Sequence, residues 1–187
     1  HIIRAVEQEI GTGVPIFGGT SADNDMSGQW MQFGNDRVSS RGVSVATLFT
    51  SGDIGYAFNG GYEPTEHRGL ATRTDGRILY EIDHRPAAQV YNEWTDGMIQ
   101  EVLPKGGSLV PTASLSPLGN PVGHVKEVPY CRIAYPVEVL EGQALLLYTD
   151  APPDSEVVLM AGSSDRLTTR AGAWPMGWLP STPRASS

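Results

Sequence analysis

The pair Asp75-Gly76 constrains the fold of this 187-residue chain more than any other local feature. Two segments rich in strand-forming residues, Leu70 to Thr74 and Arg77 to Ile82, flank the pair. An Asp-Gly pair between such segments favours a tight turn that joins antiparallel strands. The pair therefore predicts a β-hairpin, and the sheet that contains this hairpin is expected to be antiparallel at that point.

Most other segments also have strand patterns, so we expect a mixed α/β fold with a strand-rich, largely antiparallel sheet covered on one side by helices. A helix is predicted where apolar residues recur at helical spacing before Gly11. A second helix is predicted after Pro86, with Val90, Tyr91 and Trp94 on one face. The predicted helices are 2–10, the one opening at 86, and a short one at 98–103. The further predicted strands are 14–17, 30–33 with 38 onward, 42–49, 54–59, 130–140, 144–148 and 157–161.

The composition changes between Pro104 and Gly123, where Gly, Pro and Ser are frequent and periodicity is lost. This pattern predicts a linker or a long loop, with a module boundary near residue 108. Pro136 predicts an edge position or a bulge in its strand. After Arg170 there is no usable period, so residues 171–187 are predicted to form an irregular tail.

The strongest candidate for a binding site is the segment from Val14 to Asp25. A short apolar run ends at Phe17 and is followed by two glycines, two hydroxyl residues and acidic residues. Gly18-Gly19 allows the backbone to turn where a side chain would clash. The N–H and hydroxyl groups that follow a strand in this way are typical of ligand sites in α/β proteins. The alternative interpretation is a plain tight turn, capped by Thr20, Ser21 or Asp23.

Four segments, of which the loop at Gly18 is the first, resemble the FIST sensory domain when they are taken in order. The family shows a Gly-Gly-x-x-Ala/Gly-Asp element, a hairpin of the Phe-x-Asn-Gly-x-Val kind, and a Gly-Trp/Tyr-x-Pro segment. It then has the signature Tyr-Glu-Leu/Ile-Asp-Gly-x-Pro-Ala-x-x-x-Tyr, which this chain departs from only at His84-Arg85, where the family favours Gly-Lys. The matching segments are Gly18 to Asp23, Phe33 to Val38, Gly60 to Pro64 and Tyr80 to Tyr91.

The resemblance implies two modules of a sensory domain, with residues 1–107 as the later part of the N-terminal module and 108–170 as the start of the C-terminal one. It implies a non-catalytic cytoplasmic protein that recognises a small molecule, such as an amino acid or a related metabolite. The signal would pass to a partner such as a kinase, a cyclase or a chemoreceptor module. The ligand-binding residues implied in this way are Gly18, Gly19, Thr20, Ser21, Asp23 and Tyr62.

Composition excludes several classes of partner. The 13 basic and 21 acidic residues give a net charge of −8, and no cluster of Lys and Arg is available to neutralise phosphates. Nucleic acid and anionic membranes are therefore not expected as partners. No apolar run approaches the length that spans a bilayer. The single cysteine, Cys131, excludes an internal disulfide and a cysteine-based zinc site.

Three other chemistries remain open on the residues alone. Asp23 and Asp25 offer two carboxylates, which are too few ligands for a calcium site unaided. Cys131 and His124 form the one local thiol–imidazole pair, which a hydrolase would need as nucleophile and base, although a lone cysteine in an apolar strand is usually a small buried hydrophobe. Ser21 lacks the Gly-x-Ser-x-Gly context of a serine nucleophile.

Haem is the alternative cofactor, because some FIST proteins are reported to bind haem as gas sensors. His67 and His84 flank the predicted hairpin, and imidazole is a frequent axial haem ligand. Both histidines lie beside an arginine at the end of an element, where side chains more often face solvent. Trp30, Phe58 and Tyr62 are candidates for the lining of a small-molecule cleft, and the alternative for each is an ordinary role in packing.

Overall fold

A computed structural model describes residues 2–11, 13–22, 27–52, 61–110, 112–125 and 128–169. The chain divides into two compact units, residues 1–54 and 55–187. The boundary between two family modules near residue 108 is a different division and stays a prediction. The predicted strand 54–59 and the predicted tail 171–187 lie outside the described residues.

The first unit contains one helix and one short hairpin among its described residues. Helix α1 ends as predicted at Gly11, whose N–H donates to the Glu7 carbonyl at 2.8 Å and whose φ is +81°. The hairpin around Asn35 is also confirmed, with shorter strands than predicted. The bounds are α1 Ile2–Ile10, β1 Gln32–Gly34 and β2 Arg37–Ser39.

Two strands predicted in the first unit are wrong. Residues 14–17 and 42–49 are irregular, and Phe17 and Phe49 are 63% and 94% exposed. Both segments have the apolar content of strands. A strand forms only where a neighbouring strand completes its backbone hydrogen bonds, and none of the strand pairings among the described residues includes these segments.

The second unit is built on a nine-stranded sheet in which every described pairing is antiparallel. This confirms the mixed α/β class and the large antiparallel sheet. Eight strands lie in the order β6-β9-β10-β4-β3-β11-β7-β8, and β5 pairs with β4. The strands are β3 Tyr62–Asp75, β4 Ile78–Ile82, β5 Arg85–Pro86, β6 Gly107–Ser108, β7 Leu118–Val125, β8 Val128–Ala134, β9 Pro136–Val139, β10 Leu145–Leu147 and β11 Glu156–Gly162.

The predicted hairpin is confirmed, with its loop shifted by one residue. Asp75 pairs with Ile78, so the two loop residues are Gly76 and Arg77. Gly76 has φ +55°, which suits the first central position of a hairpin turn that glycine favours. The bulge at Pro136 is confirmed too, because the register between β9 and β10 shifts where Pro136 faces Leu147.

Helix α2, Ala87–Trp94, packs its predicted stripe into the main core. Val90 and Tyr91 are buried and Trp94 is partly buried against them. Helix α3, Ser164–Thr169, follows β11. Residues 98–103 form turns rather than the predicted short helix, and Ile99 is nevertheless buried. The largest fully buried side chains include Tyr91, Leu79, Ile82, Ile99, Leu109, Leu118, Leu145 and Leu147.

The prediction of a linker between Pro104 and Gly123 is wrong. Leu109, Ala113 and Leu118 from this segment are at most 1% exposed. The Leu109 N–H donates to the Val137 carbonyl at 2.7 Å, which ties the segment to the sheet. Gly, Pro and Ser serve here in short turns and a 3₁₀ turn at Ala113–Leu115, between residues that belong to the core.

Candidate functional site

The glycine-rich loop predicted as a ligand site lies in the first unit. Gly18, Gly19, Thr20 and Ser21 are exposed, and the Ser21 hydroxyl accepts a hydrogen bond from Gln32 Nε2 at 2.7 Å. Neither glycine has a positive φ, and a Cβ at either position would meet no atom within 4 Å. The steric reason predicted for the two glycines is therefore wrong, and the ligand role of the loop stays a prediction. Asp23 and Asp25 lie outside the described residues.

Tyr62, the sixth predicted ligand residue, begins β3 in the second unit. Its hydroxyl donates to the Ser114 carbonyl at 2.9 Å and accepts from the Tyr135 hydroxyl at 2.7 Å. The Tyr62 and Tyr135 rings meet edge to face, with centroids 5.9 Å apart. A Cβ at Gly162 would lie 2.5 Å from the Tyr62 ring, so this glycine leaves room for the tyrosine. These contacts support a packing role, whereas a ligand contact at Tyr62 stays a prediction.

The Cys131 thiol is poorly suited to act as a nucleophile. Cys131 is 8% exposed and packs with Val158 and Met160. Burial, with a smaller contribution from the charge of Glu156, raises the pKa of the Cys131 thiol. A catalytic cysteine needs a lowered pKa so that it is a thiolate at neutral pH. The structure therefore gives no support to the alternative of a hydrolase that uses Cys131 and His124.

The two histidines considered for haem are both exposed. The His67 ring stacks on the Trp94 ring, with centroids 6.2 Å apart and an interplanar angle of 18°. His84 lies in the tight turn between β4 and β5, where its N–H donates to Thr72 Oγ1 at 2.9 Å. In the part of the chain that the structure describes, no group of three or more His, Cys, Asp or Glu residues is placed to hold a metal ion. A haem sensor remains a hypothesis that a Soret band in the purified protein would test.

The signature segment around Asp83 has a clear structural role. Asp83 Oδ1 accepts a hydrogen bond from the Leu70 N–H at 2.9 Å, and the Asp83 N–H donates to the Leu70 carbonyl at 2.9 Å. A Cβ at Gly69 would lie 2.5 Å from Asp83 Oδ2 and 2.6 Å from Ile82 Cγ2. Asp83 therefore completes the backbone hydrogen bonding of β3 where the β4 ladder ends, and only glycine fits beside it.

Sequence analysis missed a small cleft at the centre of the sheet of the second unit. Its charged and polar lining comes from Asn120 on β7, Arg132 on β8, and Asp150 and Ser155 in the connection before β11. The enclosed part is about 20 Å³, enough for roughly one water molecule or one methyl-sized group. Apolar side chains form the rest of the wall, among them Leu79, Leu118, Ala134, Leu147 and Val157.

The polar groups of this cleft are positioned by hydrogen bonds. Arg132 Nη2 donates to Asn120 Oδ1 at 3.1 Å, and Asn120 Nδ2 donates to the Glu156 carbonyl at 2.8 Å. The Ser155 hydroxyl donates to the Pro152 carbonyl at 2.6 Å. Arg132 and Asp150 are thus among the lining residues of one cleft whose wall is mostly apolar. No local pattern brings these residues together, because strand pairing places β7, β8 and β11 side by side.

Comparison with known proteins agrees with the resemblance seen in the sequence. Residues 1–85 match the model of the FIST N domain. An uncharacterized protein of Methanocaldococcus jannaschii is 30% identical over 80 residues, which are 43% of this chain and 16% of that protein. No solved structure matches. Among the described residues, no helix is both long enough and apolar enough to cross a bilayer.

The match confirms the predicted family. This chain carries FIST N domain sequence over its first 85 residues, and FIST is a family of sensory domains linked to signal transduction.

Proposed function

We propose that this FIST domain chain is a non-catalytic, cytoplasmic sensor of a small zwitterionic metabolite such as an amino acid. The observation that carries the proposal is a cleft with apolar walls that has Arg132 and Asp150 among its lining residues. A guanidinium recognises a carboxylate through paired N–H donors, and a carboxylate recognises an ammonium group. A zwitterion presents both partners at once.

The size of the cleft limits the class of ligand. Its enclosed part holds about one methyl-sized group, so the two charged ends of the ligand would lie at the mouth. A small amino acid such as alanine has this shape, with one methyl group beside its ammonium and carboxylate. The bound molecule would bias the domain toward one conformation, and a kinase, cyclase or chemoreceptor module would respond to that change.

The experiment compares L-alanine with its two halves. Binding to the whole chain is measured by calorimetry for L-alanine, for ethylamine, which lacks the carboxylate, and for propionate, which lacks the ammonium. We expect L-alanine to bind at least about tenfold more tightly than either half, because each half leaves one charged group of the cleft without its partner. Equal affinity for ethylamine and L-alanine would contradict the role of Arg132.

Two variants locate the site. Arg132→Gln and Asp150→Asn should each weaken alanine binding about tenfold or more, since each removes one charge-assisted contact. Arg37→Gln and Asp36→Asn, on the exposed hairpin of the first unit, change the same charges and should leave the affinity unchanged. If all four variants bind alanine equally well, the cleft is not the site.

We also propose, independently of the cleft at Arg132, that the loop from Gly18 to Asp23 contacts a small-molecule ligand of its own, with Gly19, Thr20 and Ser21 as donors. The support is the Gly-Gly-x-x-Ala-Asp element within the matched FIST N domain. Gly19→Val should then weaken ligand binding more than it lowers the melting temperature, because a Cβ at Gly19 has open space around it. Unchanged affinity in this variant would mean that the loop is a plain turn with no role in ligand binding.

A further inference from the structure

A second, larger depression lies between helix α2 and the segments that follow it. Its volume is about 390 Å³, within the range of about 300–1,000 Å³ that small-molecule sites occupy. Seven residues line it, and none of them lines the cleft at Arg132. We call it the amide groove because its lining is mostly carboxamide side chains: Gln89, Asn92, Glu93, Gln100, Leu103, Pro104 and Gln143.

The side chain of Asn92 organises the base of the groove. Asn92 is 7% exposed and is the one polar or charged side chain that is buried among the described residues. Its Oδ1 accepts from the Ile99 N–H at 3.0 Å, and its Nδ2 donates to Gln100 Oε1 at 2.9 Å. Because Gln100 Oε1 is held in this way, the Gln100 amide is oriented with its NH₂ group away from Asn92 and available as a donor. A buried polar group that orients an exposed one is typical of a preorganised site.

Gln143, which also lines the groove, has a strained backbone. Gln143 has φ +60°, a left-handed conformation that residues with a side chain rarely adopt. It follows Gly142, which has φ +74°. Strain of this kind is retained where the surrounding structure requires it, and it is concentrated at ligand sites. Here it places a fourth carboxamide on the wall of the groove.

The chemistry of the lining defines the ligand. Carboxamides each offer two donors and an acceptor without charge. The one charged group, Glu93, is already paired with Arg85, whose guanidinium donates to Glu93 Oε1. Leu103 and Pro104 add apolar surface. Such a groove suits a neutral molecule that carries several hydroxyl groups on a partly apolar frame.

We propose that the amide groove binds a monosaccharide, in addition to the zwitterion site proposed above. Adjacent hydroxyl groups of a sugar match the paired donor and acceptor of a carboxamide, and the C–H face of the ring packs on Leu103 and Pro104. The proposal does not depend on the cleft at Arg132, because the two linings share no residue.

The test is saturation-transfer NMR on the whole chain with D-glucose, D-galactose and D-mannose at millimolar concentration. We expect saturation transfer to at least one of the three sugars. The double variant Gln89→Ala/Gln100→Ala should weaken that binding about tenfold, as the loss of two net hydrogen bonds would. Gln100→Ala also removes the acceptor of the buried Asn92 Nδ2, so the melting temperature of the variant should fall, and sugar binding is compared well below that temperature.

Two controls make the outcome decisive. Gln8→Ala removes an exposed glutamine from α1, and Arg132→Gln alters the other cleft; both should leave sugar binding unchanged. Absence of transfer to all three sugars would overturn the proposal, as would equal binding by the double variant and the wild type. A loss of sugar binding in Arg132→Gln would assign the sugar to the cleft and would also overturn it.

Discussion

The two units of this chain use similar apolar content in opposite ways. Among the described residues of the first unit none is buried, and its large apolar side chains, such as Phe33 at 79% and Phe49 at 94%, are exposed. The second unit places its large apolar residues in a continuous core under a nine-stranded sheet. Apolar residues with strand-like spacing therefore do not suffice for a sheet; a strand also needs a neighbour that satisfies its backbone.

The match to the FIST N domain includes residues of both units. Residues 1–85 include all of the first unit, and they also include β3 and β4 at the centre of the second. The matched segment thus contributes Ala71, Leu79 and Ile82 to the main core, and residues after 85 supply the rest of it. Four predictions test the difference in packing between the two units, and they are given in order of decreasing expected effect.

The largest effect is expected for an aromatic residue in the core. Tyr91→Ala should lower the free energy of unfolding by about 3–5 kcal/mol, because Tyr91 is fully buried and its hydroxyl donates to the Ser116 carbonyl at 2.8 Å. Phe33→Ala, the matched change in the first unit, should cost less than about 0.5 kcal/mol. Urea denaturation measures both. A loss of about 2 kcal/mol or more for Phe33→Ala would show that the first unit has a core of its own.

The glycines of the two units should respond differently to one added methyl group. Gly69→Ala should cost about 1–3 kcal/mol, because the new Cβ would overlap Asp83 Oδ2 and the buried Ile82 side chain. Gly19→Ala meets no atom within 4 Å and should change stability by less than about 0.5 kcal/mol. Thermal unfolding gives both values. Equal tolerance at both positions would mean that Asp83 does not hold β3 as described.

Alkaline pH should destabilise the second unit, because it contains the fully buried Tyr91, whereas residues 1–54 contain no tyrosine. Burial raises the pKa of Tyr91 above its ordinary value of 10.0. Above about pH 10 the unfolded chain therefore loses the Tyr91 proton while the folded chain keeps it, and stability falls as pH rises, by about 1.4 kcal/mol per pH unit from this group.

Comparison of the wild type with Tyr91→Phe isolates this contribution. Urea denaturation between pH 9 and pH 11, values chosen to bracket an ordinary tyrosine pKa of about 10, should show a shallower fall for the phenylalanine variant. Parallel curves for the two proteins would mean that the Tyr91 phenol ionises as readily in the folded chain as in the unfolded one.

The smallest effect is expected in the turns. Asp83 and His84 both have positive φ, +51° and +60°, in a two-residue turn that favours glycine at the second position. His84→Gly should therefore raise stability by about 1 kcal/mol. Asn35→Gly, in the hairpin of the first unit, should have an effect near zero, because asparagine tolerates a left-handed backbone and the hairpin is exposed. Calorimetric melting measures the stability of both variants. An equal gain in stability for Asn35→Gly and His84→Gly would mean that the two turns are strained to the same extent.

Features that depend on local chemistry were predicted well. The helix stop at Gly11, the hairpin at Gly76, the bulge at Pro136 and the buried stripe of Tyr91 all follow from a few neighbouring residues. The strand at 42–49 was predicted from spacing alone and is wrong, because no described strand pairs with it. Leu109 is buried inside a segment predicted as a linker, since its burial depends on β9, nearly thirty residues further along the chain.

The site was less accessible to prediction than the fold. The loop at Gly18 was found from its composition, and the structure describes it as exposed chain. The cleft at Arg132 was not found, because Asn120 on β7, Arg132 on β8 and Asp150 before β11 are brought together by the pairing of strands and not by a local pattern. The one available signal was the presence of isolated charged residues inside or directly after apolar strands, as at Arg132.

The position of β11 has a consequence for how the chain is made. Strand β3 lies between β4, which follows it directly, and β11, so that Tyr62 is paired with Gly162. During synthesis β3 and β4 leave the ribosome together and can form their hairpin at once, whereas the other edge of β3 stays open until β11 has been translated. A nascent chain that stalls before Glu156 therefore exposes the middle of its own sheet as an edge, which is the surface on which chaperones act and aggregates begin.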